Sequence, residues 1–431
     1  MDSISYFKEQ FQQKKNGSAN LLDKQKRNAL DDLSNWGIPA IKHEEWKYTR
    51  ISSLFNKDVP WPLEAGGPVV GVADIEKHRL PGHEKANELV FINGRYDSSL
   101  SKFISPGLQV LPLEEAKEHT AFIEQYFGHS GDYLKDGMNA LNTALMQGGA
   151  FVYVPAGTDL AHPVYVYHIT DTRSQAALSL PRSLVYVGKN ARLQWVENFV
   201  TLGSGDSLTN QVTEAVVDTD AQFYHYKLQQ DSTQASLVSS THIRQIGRSY
   251  AYSVAVSLDG HIVRNNTHMI MEAEYCESHL YGLYLLQGKT HVDNHTIVDN
   301  VKPNCYSNEL YKGVIGDDAT GVFNGKIFVR QDAQKTNAYQ SNKNILLSEG
   351  AGMNTKPQLE IFADDVKCSH GCTIGRLDEE GLFYLQSRGI PEKQAKSLLL
   401  HGFTSDILEK ILLDPIREYA EESIHRRLEM L

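Results

Sequence analysis

Cysteine is scarce: Cys276, Cys305, Cys368 and Cys372 are the four in 431 residues. That is too few to staple a chain of this length, so disulfides are not expected and the thiols read as reduced. Long apolar runs are missing too. No stretch approaches the roughly 20 residues needed to span a bilayer, and the opening MDSISYFKEQFQQKK lacks the apolar core of a secretion signal. A cytoplasmic protein without membrane contact is expected. Basic excess is also absent, since 42 Lys and Arg face 53 Asp and Glu for a formal charge of −11. A nucleic-acid surface is disfavoured, because phosphate binding draws on clustered cations.

Two catalytic signatures fail on close reading. GLYLLQGKT, from Gly282 to Thr290, has five residues between its glycines where a phosphate-binding loop uses four. It also runs into HVDNHTIVDN, which reads as strand and turn where a helix N-terminus is needed to hold phosphate. GHSGD, from Gly128 to Asp132, has its second glycine one place early for a nucleophile elbow. Neither nucleotide hydrolysis nor hydrolase chemistry is supported, and no catalytic residue is assigned.

What is present is an ordinary globular composition, 41% hydrophobic and 22% charged, on a chain long enough for several units. Leu22, Ala29, Leu30, Leu33 and Trp36 recur at helical spacing, and Gly37 with Pro39 supplies a stop. Pro and Gly between Trp61 and Gly71 suggest a linker. From about Leu89 to Ile374 short runs rich in Val, Ile, Tyr, Thr and Phe predict strands, with one helix around Tyr133–Met146. Helices do not alternate with these strands, so a doubly wound nucleotide fold is disfavoured. So many short strands suit a parallel β-helix, which lengthens without widening, although no clean repeat of fixed period is visible.

Helical patterns return at the end of the chain. Asp378 is placed to cap a first helix with Leu382 and Leu385 inward, and Pro391 to start a second with Ala395, Leu398, Leu399 and Phe403 as its stripe. Thr404 or Ser405 is expected to cap a third, and Pro415 to open a fourth. The expected divisions are 1–75, 76–376 and 377–431: a helical region and linker, a β-helix core, and a helical module.

Two clusters carry metal-ligand chemistry. In an extended segment His291, Asp293 and His295 share one face, a set that could bind iron, although a hydrogen-bonded polar face at a solenoid edge or subunit contact is the favoured reading. In DDVKCSHGC, Cys368, His370 and Cys372 also share a face if the segment is a strand. Thiolates and imidazole suit iron, zinc or a sulfide cluster, yet three ligands do not close a tetrahedral site, so the set is either open or completed by another chain. A buried thiol packing as a small hydrophobe is the bland alternative.

DDVKCSHGCTIGRLDEEGLFYLQSRGI, from Asp364 to Ile390, resembles the signature of the SufB/SufD family of iron–sulfur cluster assembly scaffolds, on its SufD side. The likeness extends through HVDNHTIVDNVKPNCYSNELYKGV, FNGKIFVRQDAQKTNAYQSNKNILLS and KPQLEIFADD, and back to GIPAIKHEEWKYT at Gly37 to Thr49. A SufB chain is expected to be longer and to lack the CSHG block. The resemblance implies a mainly β fold, a central right-handed parallel β-helix flanked by N- and C-terminal helices. It implies a non-catalytic subunit that pairs with SufB through the β-helices and docks the ATPase SufC through residues 378–431. Without SufB, self-pairing into a homodimer through the same face is left open.

The family's Cys-x-His pair falls on Cys368 and His370, which the resemblance places at a nascent cluster facing SufB. Cys372 departs from the usual small residue after CSHG and is given no ligand role. No intrinsic cofactor is implied, and iron or a cluster is held only transiently. A polysaccharide lyase on a β-helix and a homo-oligomeric metal-binding protein are the rivals. The first lacks a catalytic carboxylate set, and the second would hold stoichiometric metal in isolation.

Overall fold

A computed structural model describes residues 3–14, 21–55, 61–63, 69–133 and 135–429. Residues 64–68 of the expected linker over 61–71 lie outside the described residues. Two ten-stranded stacks, parallel except at one end of each, run along one axis, and the chain alternates between them. One stack ends in Tyr250–Ser257, Glu277–Leu286, Tyr306–Ile315, Asn337–Leu346 and Lys367–Arg376. The facing stack ends in Ile262–Met271, His291–Asn300, Thr320–Val329 and Gly352–Ile361. Tyr250 lies beside Glu277, Glu277 beside Tyr306, Tyr306 beside Asn337, and Asn337 beside Lys367, in unbroken parallel register. The result is a parallel β-solenoid of about 8 turns.

Five of the turns close on the same device. Asn190, Asp220, Tyr275, Asn304 and Lys335 all adopt left-handed backbone, with φ from 56° to 63°. The residue after each is small and buried: Ala191, Ala221, Cys276, Cys305 and Thr336. Left-handed backbone is cheap for Asn and Asp and costs Tyr or Lys about 1 kcal/mol. The corner is therefore geometric rather than compositional, and the varying identities hide the repeat that sequence inspection fails to find.

Alternate side chains point into the solenoid, and leucines, valines and phenylalanines from Leu89 to Val329 form one continuous core. The bore also holds polar groups in bonded sets. Glu197 lies between His168 and His225, at 3.4 and 3.0 Å, and Lys227 donates to Ser239. Nearer the end of the coil, Gln340 donates to Glu309 at 2.7 Å and Asn342 to Tyr284 at 3.0 Å.

The outer faces are covered by helices, which is why strands such as Ser207–Val217 are buried at every position instead of alternating. Helix Asp23–Trp36 buries Ala29 and Leu33 against helix Gly137–Leu145 over the second stack. The two helices meet at Gly37 and Gly137, where a Cβ on Gly137 would overlap the Gly37 carbonyl. Any side chain there would separate the pair.

At the other end, Asp378 caps helix Glu379–Ser387 by accepting from the backbone N–H of Glu380 and Gly381. Two longer helices come next, Glu392–Leu408 and Asp414–Leu428. Leu400, Ile407, Leu408, Ile416, Ala420 and Ile424 pack on Tyr226, Val254, Tyr281 and Leu283 of the first stack. The expected helix start at Thr404 or Ser405 does not occur. Both hydroxyls donate backward, to the carbonyls of His401 and Gly402, so the helix runs on through them. Leu398 faces solvent and Leu400 takes its expected inward place. Pro415 sits in the first turn of the last helix, as the sequence predicts.

Candidate functional site

Parallel strands must be covered or paired at both edges, and the coil is neither at its last rung. Lys367–Arg376 ends the first stack and Gly352–Ile361 the second; among the described residues no strand lies beyond either. Pro357 lies in the middle of the second of these, a position that a prolyl nitrogen without N–H tolerates only at an edge. The molecule therefore ends in an open cross-section of its own core.

Cys368, His370 and Cys372 occupy that cross-section. Their register partners one rung inward are Ala338, Gln340 and Asn342, all buried within the bore. The three thus continue inward-facing columns, as the alternation predicts, but beyond the last covered layer. His370 and Cys372 are exposed, while Cys368 is half-buried and packs against the core cluster. Burial pushes the Cys368 thiol above its ordinary value, so it stays protonated until a cation or base displaces the proton. Successive members stand nearly 7 Å apart along the strand by its rise of about 3.4 Å per residue. Among the described residues no three His, Cys, Asp or Glu side chains converge to hold a metal ion.

Behind His370 runs a polar column that sequence reading misses. Gln340 lies beside it in register and bonds Glu309, whose carboxyl is pushed up to about 7 by burial, with Thr296 and Gln340 opposing. The side-chain oxygen of Gln340 is buried without a partner. The signal was available as polar residues at alternate positions of Tyr306–Ile315 and Asn337–Leu346, but only the register shows that they stack.

The second cluster has a different role. Asp293 accepts from Arg264 at 2.7 Å and from the Thr49 hydroxyl at 2.5 Å, and Thr49 also meets His291 at 2.9 Å. Arg264 donates to the Glu45 carbonyl and stacks 3.9 Å from the Trp46 ring. Trp46 in turn donates to Asp136, the residue that caps helix Gly137–Leu145. His295 stands 3.5 Å from Glu45, and burial holds its imidazole well below the ordinary range, with Arg264 adding to the effect. Burial alone would raise the Asp293 carboxyl, but Arg264, His295 and the Thr49 hydroxyl bring it below its ordinary value. The HVDNH segment thus anchors the HEEWKYT segment, and the bland polar reading describes it.

GLYLLQGKT spans the end of strand Glu277–Leu286 and a turn, and strand His291–Asn300 begins directly after it. No helix N-terminus is available there for phosphate. No helix of the described residues is long and apolar enough to cross a membrane.

Family models match most of the chain. A family model described as SUF system FeS cluster assembly, SufBD core domain, matches residues 168–403, and one for the SufBD protein N-terminal region matches 2–166. An iron–sulfur cluster assembly SufBD family protein of Synechocystis is 32% identical over 91% of this chain and 88% of its own length. SufD of Escherichia coli is 29% identical over 93% and 91%, and SufD of Bacillus subtilis 27% identical over 73% and 72%.

Proposed function

The chain belongs to the SufBD family of iron–sulfur cluster assembly proteins, and from that premise we propose that it is the SufD-type scaffold of a cytoplasmic SUF complex. In this reading it performs no turnover and holds no resident cofactor; iron and sulfide are cargo. The observation that carries the proposal is the open last rung, where unpaired strand edges and an uncovered core coincide with Cys368 and His370.

A SufB solenoid with a like end would cover both edges and complete a ligand set that this chain supplies only in part. Cys368 and His370 would be its contribution, with Cys372 left as a bystander. The protonated Cys368 thiol would lose its proton as iron binds, since the thiolate is the ligand. The C-terminal helices would dock SufC, which hydrolyses ATP. Phe383, Tyr384, Leu398 and Leu412 are large apolar side chains left exposed on or beside these helices, with Phe383 at 72%. Single exposed apolars are ordinary, but four on one small module suit a partner.

Ile374, at 47% exposure on the terminal strand, gives the direct test of the pairing face. Ile374→Asp adds a charge to the edge without disturbing the folded core. It is expected to abolish the complex with SufB in gel filtration while leaving SufC binding unchanged. Undiminished SufB affinity would rule out the open end as the interface.

A further inference from the structure

Cys276 and Cys305 have no part in the site above. Both are buried, at 1% and 0% exposure, and both are free thiols. They occupy the same corner of consecutive turns: Glu277 pairs with Tyr306 in register, and the Tyr306 N–H donates to the Cys276 carbonyl at 2.9 Å. Each comes directly after a left-handed residue, Tyr275 and Asn304, so the two side chains leave the backbone in the same direction.

Neighbouring strands are about 4.8 Å apart. That falls inside the separation of about 4.4–6.8 Å between Cα atoms that a disulfide requires. The thiols donate to the carbonyls of Gly247 and Ala273, each at 3.3 Å.

We propose that Cys276 and Cys305 are a peroxide-responsive dithiol that closes into a disulfide across two turns of the solenoid. The neighbouring Cys305 side chain holds the Cys276 thiol below its ordinary value, with burial opposing, and Cys276, next to the exposed corner residue Tyr275, is taken as the nucleophile. Its sulfur attacks one peroxide oxygen, the O–O bond breaks, and hydroxide leaves to take up a proton as water. The sulfenic acid so formed is attacked by Cys305, the S–S bond forms, and a second water departs. Two thiols and one hydrogen peroxide thus give one disulfide and two waters. Peroxide is small enough to enter past Tyr275, which is 60% exposed at the corner. The neighbouring corners carry Ala221, Ser249 and Thr336, so small residues suffice for packing, and serine variants should fold.

The test uses the isolated full chain, treated with equimolar hydrogen peroxide at neutral pH, denatured with alkylating reagent and mapped by peptide mass spectrometry. The expected product joins the Cys276 and Cys305 peptides, lighter by two hydrogens and approaching one link per chain. It should raise the thermal midpoint by several degrees, reversibly with reductant. Cys305→Ser should lose both the link and the midpoint shift and should trap Cys276 as a sulfenic acid that a cyclic diketone captures. Recovery of both cysteines as free thiols, while the exposed Cys372 is oxidised, would overturn the proposal. Failure of the diketone to label Cys276 in Cys305→Ser would overturn its assignment as nucleophile.

Discussion

Glu309→Gln isolates one buried proton. The carboxyl of Glu309 lies in the bore, fully buried, and burial raises it from an ordinary 4.5 to about 7. The folded chain therefore holds a proton that the unfolded chain releases above pH 4.5. Between these values stability falls by about 1.4 kcal/mol per pH unit, to a total of about 3 kcal/mol, and the loss levels off above pH 7. Stability from this group is thus complete below pH 4.5 and lost as pH rises to 7. An amide at this position is neutral throughout, matches the carboxyl in shape, and still offers an oxygen to Gln340 and Thr296. Relative to wild type, Glu309→Gln should gain about 3 kcal/mol between pH 4.5 and 7.5 and no more beyond. Urea unfolding monitored by circular dichroism at half-unit pH steps measures the difference, in which other buried titrating groups cancel. A difference that stays constant from pH 5 to 8 would refute the buried, protonated carboxyl.

Three further outcomes are expected. Arg264→Ala leaves Asp293 buried and unpaired, which costs about 3–5 kcal/mol, whereas the double variant Arg264→Met, Asp293→Leu costs much less; thermal melts and protease release of residues 37–49 report it. Asp378→Ala removes two accepted N–H bonds and should cost the C-terminal module about 1 kcal/mol, seen as faster amide exchange over Glu379–Ser387. Phe383→Asp with Leu398→Asp should weaken SufC binding by about 30-fold or more, measured by calorimetry, with the solenoid's melting unchanged. Unaltered affinity would remove these helices from the docking surface.

Much of the architecture was legible because strand texture survives burial. The runs Tyr250–Val256 and Ile327–Val329, which fall within strands Tyr250–Ser257 and Thr320–Val329, the helix after Asp136 and the Asp378 cap all arise from local chemistry. The extent of Glu392–Leu408 was not legible, since Thr404 and Ser405 look like caps until their hydroxyls are seen bonding one turn back. Nor was the rung register, because the corner is fixed by backbone geometry that Tyr275 and Lys335 share with Asn304. The alternation that places Cys368, His370 and Cys372 on one face was readable from spacing. Their place on the final, uncovered rung was not, because it depends on the chain leaving the coil for helix Glu379–Ser387 instead of adding another strand over them. The same spacing argument applied to His291, Asp293 and His295 met a different fate, because Thr49 and Arg264 approach from distant parts of the chain.

In the proposed complex Cys368 and His370 contribute to a site completed by a partner at the open end. The most direct test is the iron and acid-labile sulfide content of complexes purified after co-expression with SufB and SufC, comparing wild type with Cys368→Ala and His370→Ala. Intact complexes with strongly reduced cluster are expected in both variants. Normal cluster content in both would contradict this role.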